Sequence, residues 1–385
     1  MPAARRFAQD IINGRDMEEK NDKPTIITRD GAFCYDSVVE LSKKTIDDLD
    51  HISKKGQELS AIDSVLDEYS NIPSFVLPYY HARCNYSLNR INAAVSCVDE
   101  AVSKLVEERP ATENELQMCL WGIAGEIYAN ADRYADSVNA YSRYLAMHFN
   151  IKPESICNKL LSFRPISKYS LIDIINKEIT VSHPKVMNDP FDTIYLQWLD
   201  YYDQNDDKGR KHIRPMLEAM GNVRIRCFVN NQLDVTDSEP VSNILMWSHY
   251  ADSHRGMCLE YRFSDKFMNQ TNDDSVLRFR KVNYGPDALS IKSEQMTTDI
   301  GLLQKCNAWE YENEVRLISF APNRKDDFIP IKLDDGSYIS RVFFGMNCPK
   351  RDIDTVRSIL SDEKTKFYQM EKDWNNIYHL KYREI

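Results

Sequence analysis

The sequence predicts an α+β protein in two unlike parts: a helical-repeat half, then a mixed, largely antiparallel sheet with flanking helices. Three observations predict this. Residues 37–149 carry small, apolar and aromatic residues at helical spacing. Beyond Lys152-Pro153 the pattern changes to short period-two runs that alternate with helical stretches. The length, 385 residues, suits two or three domains at roughly 150 residues each. The expected division is a polar arm at 1–30, a helical domain at 31–150 and an α+β domain at 151–385.

Composition narrows the function classes. A formal net charge of −10 weighs against a dedicated duplex nucleic-acid binder, because phosphate neutralisation drives such binding. Nucleic acid would need a local basic face, either Lys208–Arg214 with Arg224 and Arg226, or Arg278–Lys281. Both are expected to be solvated surface. The nine cysteines are dispersed and form no Cys-x-x-Cys pair, which suits reduced thiols rather than a disulfide framework or zinc ribbon. No apolar stretch follows Arg5 and Arg6, and no run reaches the ~20 apolar residues of a membrane span. A cytoplasmic location is expected.

In chain order, Asp47 to Leu59 reads as a charged helix. Two helix pairs follow between Phe75 and Asn150. In the second, Gly125 permits close helix approach while Tyr128 and Tyr141 fill the space between the helices. Tyr86, Ala94, Val98 and Ala101 take matching places in the first. Ile179 to Ser182 and Val223 to Val229 read as strands. Asp237 or Ser238, followed by Pro240, is expected to cap a helix reaching about Asp252. Gly256 then turns the chain into a strand from Met257 to Phe263. Further strands are expected at 276–284, 314–320, 328–333, 338–345, 366–371 and 378–383, with helices at 287–307 and 349–361.

Two stretches concentrate aromatic and titratable residues beyond what a packed core needs, as a pocket for a planar, charged ligand requires. The first is 245–256, with Trp247, Ser248, His249, Tyr250 and His254. The two histidines straddle a helix end with no third ligand nearby, so no metal is predicted there. The second is 305–316. Strand alternation would set Glu312, Glu314 and Arg316 on one face. Neighbouring carboxylates there would raise one pKa unless Arg316 or a ligand compensates. They form either a structural Glu–Arg pair or a catalytic carboxylate, with Trp309 able to cover a planar ring. A third candidate is the turn at Asn188 and Asp189, whose side chains bond their own backbone. Arg164 could reach a phosphate or carboxylate.

The helix pairs at 37–150 resemble tetratricopeptide repeats in degenerate form, which implies a partner-binding surface. Three runs, Asn188-Asp-Pro-Phe-Asp192, Trp247-Ser-His-Tyr-Ala-Asp-x-His-x-Gly256 and Trp309-x-Tyr-Glu-x-Glu-x-Arg316, resemble a bacterial domain family of unknown function, numbered twenty-nine seventy-one. That resemblance covers about 160–345. A weaker one is to ADP-ribosyltransferases, in the order Arg164, Ser248 with Tyr250, then Glu312-Asn313-Glu314.

The transferase resemblance implies NAD as cosubstrate, with Glu314 as catalytic carboxylate and Glu312 as its polarising neighbour. Arg164 and Arg316 would hold phosphate, and Trp247, Tyr250 and Trp309 the nicotinamide or base. The expected function is therefore a bacterial effector of toxin or phage-defence type, with a helical sensor and an NAD-using domain. Two alternatives stand beside it. One is a non-enzymatic scaffold that binds a nucleotide or protein, in which Glu312 and Glu314 are both paired in ion bridges. The other is a hydrolase or nuclease using Glu312 with Asp189 or Asp252 and a divalent ion.

Overall fold

The computed structural model describes residues 62–63, 66, 73–108, 115–150, 156–189, 191–193, 207–231, 239–269, 271–272, 275–285, 298–321, 325–361, 364–376 and 378–385. The arm at 1–30 and the charged helix expected at 47–59 lie outside them. The chain divides into two compact units.

The first unit is helical. It holds α1 (Val76–Ser87), α2 (Ile91–Glu108), α3 (Glu115–Asn130) and α4 (Tyr134–Asn150), together with the helix Asp207–Met220. α1–α2 and α3–α4 are helical hairpins with three-residue turns. Each turn passes through one left-handed residue, Asn89 at φ 60° and Asp132 at φ 61°. Asn and Asp tolerate that conformation because the short polar side chain bonds locally. Ala94 and Ser137 sit five residues on in each, and their N–H groups bond the carbonyls of Arg90 and Arg133. The two hairpins thus repeat each other's start.

Their packing rests on small residues facing tyrosines. A Cβ on Gly125 would stand 2.7 Å from the buried Tyr141 ring, and Ser137 donates to the Gly125 carbonyl at 2.7 Å. Tyr86 donates to the buried Glu126 at 2.7 Å. Tyr128 donates to Asp99 at 2.8 Å, while Arg133 holds both oxygens of Asp99 and lies over the Tyr128 ring. The basic run 208–214 lies on the helix Asp207–Met220. There Lys211 pairs with Asp132 at 2.8 Å, and Tyr134 donates to Glu218.

The second unit is α+β. Its main sheet contains β1 (Lys159–Arg164), β2 (Glu178–Ser182), β3 (Val223–Asn230), β4 (Met257–Arg262), β5 (Thr271–Asn272), β6 (Ser275–Lys281), β9 (Glu314–Phe320), β10 (Phe328–Lys332), β11 (Tyr338–Phe344), β12 (Lys366–Lys372) and β13 (Leu380–Glu384). A separate parallel pair joins β7 (Asn283–Gly285) to β8 (Gln304–Cys306). The main path runs β13-β12-β11-β4-β1-β3-β9-β6-β5, with β2 and β10 attached beside β3. Only β11–β12 is parallel in this sheet; the other described pairs are antiparallel.

Alternation along the strands gives the sheet two buried faces. Leu160, Phe228, Leu259, Val315, Leu317, Val342 and Phe344 share one core with Ile174 and Val356, from the helices Lys168–Asn176 and Lys350–Ile359. Leu161, Phe163, Val229, Cys258 and Phe343 share the other with Met246, Trp247 and Ala251.

Three expected elements differ. The helix expected from a cap at 237–238 is instead a 3₁₀ turn at Pro240–Ser242 and a helix at Ile244–Tyr250. Asn243 caps that helix by accepting the Leu245 and Met246 N–H groups. The strand expected over 276–284 is interrupted at Val282, whose flanks join different sheets. Within the expected 287–307 helix, the described part is helical only at Thr298–Leu303. A 3₁₀ helix, Asn307–Glu312, follows β8; Cys306 Sγ caps it by accepting from Ala308, and Asn313, at φ 43°, ends it. Both basic runs also lose their expected solvation in part, since Arg224 and Arg278 are buried.

Gly125→Val drives a side chain into the Tyr141 ring. It is expected to destabilise the helical unit by about 1–3 kcal/mol, read as a lowered urea midpoint.

Candidate functional site

Strand β9 is buried along its whole length. Its two-residue period puts Glu314 and Arg316 on one face and Val315 and Leu317 on the other. Arg316 is fully buried, so every donor of its guanidinium needs a partner. Nε and Nη2 bond Glu314 at 2.8 and 3.2 Å, Nη1 bonds the Leu302 carbonyl at 2.6 Å, and Nη2 bonds Asp192 at 2.6 Å. A second cation, Lys305 of β8, reaches Glu312 at 2.5 Å, Glu314 at 3.1 Å and Asp192 at 3.6 Å. Glu312 also accepts from the Tyr250 hydroxyl. The Glu314 N–H donates to the Tyr284 hydroxyl at 2.9 Å.

Two buried cations therefore face three buried carboxylates, and the carboxylates respond unequally. Burial alone would raise Glu314, but Arg316 and Lys305 outweigh it and bring its pKa down to about 2. At Glu312 burial wins over Lys305 and the two hydrogen bonds, so its pKa is raised. Burial would lower Lys305, but Glu314, Asp192 and Glu312 hold it protonated above its ordinary value. Protonating Glu312 leaves two cations against two carboxylates, the arrangement a low-dielectric site favours.

Each sequence run supplies one part. In the first, Asp189 Oδ1 accepts from Phe191, which curls the chain so that Asp192 enters the network. Asn188 is exposed and Asp189 serves its own turn. In the second, the helix Ile244–Tyr250 delivers Tyr250. Trp247 is fully buried, donates to the Val241 carbonyl at 2.7 Å and packs edge-on against Phe163. It is a core residue, which corrects its expected place in a ligand pocket. Ser248 bonds the Ile244 carbonyl and the His254 ring, which stacks on Trp247.

After the helix, Asp252, Ser253 and His254 are all left-handed, at φ 48°, 52° and 67°. Such residues cost on the order of 1 kcal/mol each. The turn is held by the His254 N–H on the Trp247 carbonyl and by Gly256, where a Cβ would stand 2.4 Å from the Arg164 carbonyl.

The third run is not the continuous strand that alternation suggested. Glu312 ends a 3₁₀ helix and Glu314 opens β9, and left-handed Asn313 between them turns both carboxylates onto Lys305. Above Glu312 lies a partly exposed aromatic surface. The His249 ring lies 6.5 Å from Trp309 and 6.4 Å from Tyr311, and those two lie 6.0 Å apart. Lys305 Nζ stands 5.1 Å from the Trp309 centroid, linking that surface to the network beneath.

Arg164 does not join this site. It shares its strand face with Leu160, opposite the Leu161 and Phe163 face, and pairs with Asp173 at 2.9 Å. Arg316, expected to hold phosphate, has its donors committed inside the network. Asp192 and Lys305 were the members that sequence reasoning missed. Asp192 closes the first run and Lys305 opens the 305–316 stretch, so both lay within segments already singled out.

The fold and site define an α+β domain built around a buried ion network beneath an aromatic surface. Residues 246–317 match the family described as Protein of unknown function (DUF2971). That segment covers the second and third runs and is narrower than the expected 160–345. No curated protein and no solved structure matches the chain.

Replacing Arg316 by Met leaves buried carboxylates uncompensated, and the expected loss is about 3–5 kcal/mol in chemical denaturation. Glu312→Gln tests the unequal carboxylates. Glu314, with a lowered folded pKa, contributes stability that is full above 4.5 and lost as pH falls toward 2. Glu312, with a raised folded pKa, has the opposite sign, so folding gains as pH falls toward 4.5. Wild type is thus expected to gain stability relative to the Gln variant as pH drops from neutral toward 4.5. Parallel curves for the two proteins would refute the elevated Glu312 pKa.

Proposed function

We propose that the α+β unit recognises a nucleotide-like ligand whose planar ring lies on the His249–Trp309–Tyr311 surface, with NAD the first ligand to test. One observation carries this reading: residues from all three sequence runs meet at one network directly beneath that surface. Three rings about 6 Å apart offer stacking and edge contacts to a planar heterocycle. Glu312 and Tyr250 lie next to them as the polar groups that would orient it. Asp192, Glu314 and Arg316 form the rigid floor and touch no ligand.

A transferase reading draws on the same place and is favoured by the position of Glu312. Of the two carboxylates, Glu314 is committed to Arg316, whereas Glu312 adjoins the aromatic surface through Tyr250 and Lys305. In this ADP-ribosyltransferase-like reading, Glu312 in its ionised form stabilises the oxocarbenium-like charge as the nicotinamide–ribose bond breaks. Arg164 then has no part in the site. The helical unit is read as a tetratricopeptide-like partner-binding module, and its pairing with this domain supports a sensor–effector division of the phage-defence or toxin type.

Calorimetric titration with NAD and ADP-ribose, alongside an assay of nicotinamide release, separates the readings. Binding is expected, with Trp309→Ala weakening it about 2- to 12-fold, as loss of one aromatic contact implies. Binding without release assigns a recognition module. Release that Glu312→Gln abolishes assigns the transferase. Absence of both binding and release rejects the proposal.

A further inference from the structure

A groove of about 730 Å³ lies between the helix Lys350–Ile359 and the β12–β13 hairpin. Its lining carries four exposed cations, Lys350, Arg357, Lys372 and Arg383, against two acids, Asp354 and Glu371. Glu371 is already approached by Lys381 and Arg383, each at 3.6 Å. Among the described residues Lys350 and Arg357 have no carboxylate partner; the Arg357 guanidinium lies over the Phe367 ring. In a chain of net charge −10 this is a local surplus of positive charge.

The same groove presents an indole to solvent. Trp374 is 83% exposed just beyond β12, and the Lys372 ammonium stands 5.9 Å from its ring centroid. A largely exposed indole with the Lys372 ammonium beside its ring offers a stacking platform next to phosphate ligands. A small ligand is normally enclosed over most of its surface. An open groove instead suits a chain that passes through it.

We propose that this groove binds single-stranded nucleic acid, with a base stacked on Trp374 and phosphates along Lys350, Arg357, Lys372 and Arg383. Every base has a face to stack, so such binding tolerates sequence. An acidic peptide would satisfy the cations but offers no recurring planar ring for the indole. A duplex keeps its bases stacked on one another and leaves Trp374 unused. The inference is independent of the ligand read for the aromatic surface over Glu312.

The test is fluorescence anisotropy of a labelled oligothymidylate of about 12 nucleotides titrated with the full chain at low salt. Binding is expected to fall with salt at a log–log slope near −3, as four phosphate contacts on a single strand imply. Trp374→Ala should weaken it about 5- to 160-fold. Because Trp374 is exposed, that variant should keep its unfolding midpoint. The paired change Lys350→Glu with Arg357→Glu should flatten the salt slope. The proposal is overturned if the oligomer does not bind or if Trp374→Ala binds equally well. It is also overturned if the matching duplex or polyglutamate displaces the probe as well as unlabelled oligothymidylate does.

Discussion

The burial of one guanidinium constrains the rest of the α+β unit. Arg316 sits in the middle of β9 with no solvent access, so its donors must be met by fixed acceptors. Those acceptors come from three places: the next same-face residue Glu314, the Leu302 carbonyl before β8, and Asp192 at 124 residues' separation. Satisfying one side chain therefore pins Asp192 and the Thr298–Leu303 helix to the sheet. Buried pairs of this kind add little net stability over a hydrophobic replacement, but they are costly to break. Their effect here is to fix where three separate segments meet.

The same network divides the two carboxylates by role. Glu314 balances Arg316 and stays ionised. Glu312 is the surplus negative charge, and burial pushes it toward the protonated form. Its neighbours Tyr250 and Lys305 connect it to the aromatic surface, whereas Glu314 is committed to Arg316. The left-handed residues at 252–254 and at Asn313 shape the two turns that bring these groups together. Both segments combine ordinary sequence with unusual backbone, a frequent mark of sites whose geometry is imposed by their surroundings.

Much of this was legible along the chain. Period-two alternation located Glu314–Phe320 as a strand with its bounds intact, and it placed Glu314 and Arg316 on one face. Gly125 opposite Tyr141 follows the small-against-aromatic pattern visible in the helical half. The capping of the helix at 244 was misplaced because Asp237 and Ser238 look like caps as much as Asn243 does. Which one closes the helix depends on the 3₁₀ turn at Pro240–Ser242. Trp247 read as a pocket residue because aromatic content alone does not distinguish a ring bonded to the Val241 carbonyl from one that faces a ligand.

By itself, then, the sequence determined the change from helical to strand grammar after Lys152-Pro153, most strand positions, and the segments from which a site would be built. Periodicity decides these, because it acts over neighbouring residues and relates each side chain to its own strand or helix. Tertiary structure alone decided that Arg164 lies on the opposite face from Arg316, that Asp192 and Lys305 complete the ion network, and that Glu312 rather than Glu314 borders the aromatic surface. Those outcomes depend on which strand lies beside which and on how buried charges balance across distant segments. Local spacing carries no record of either.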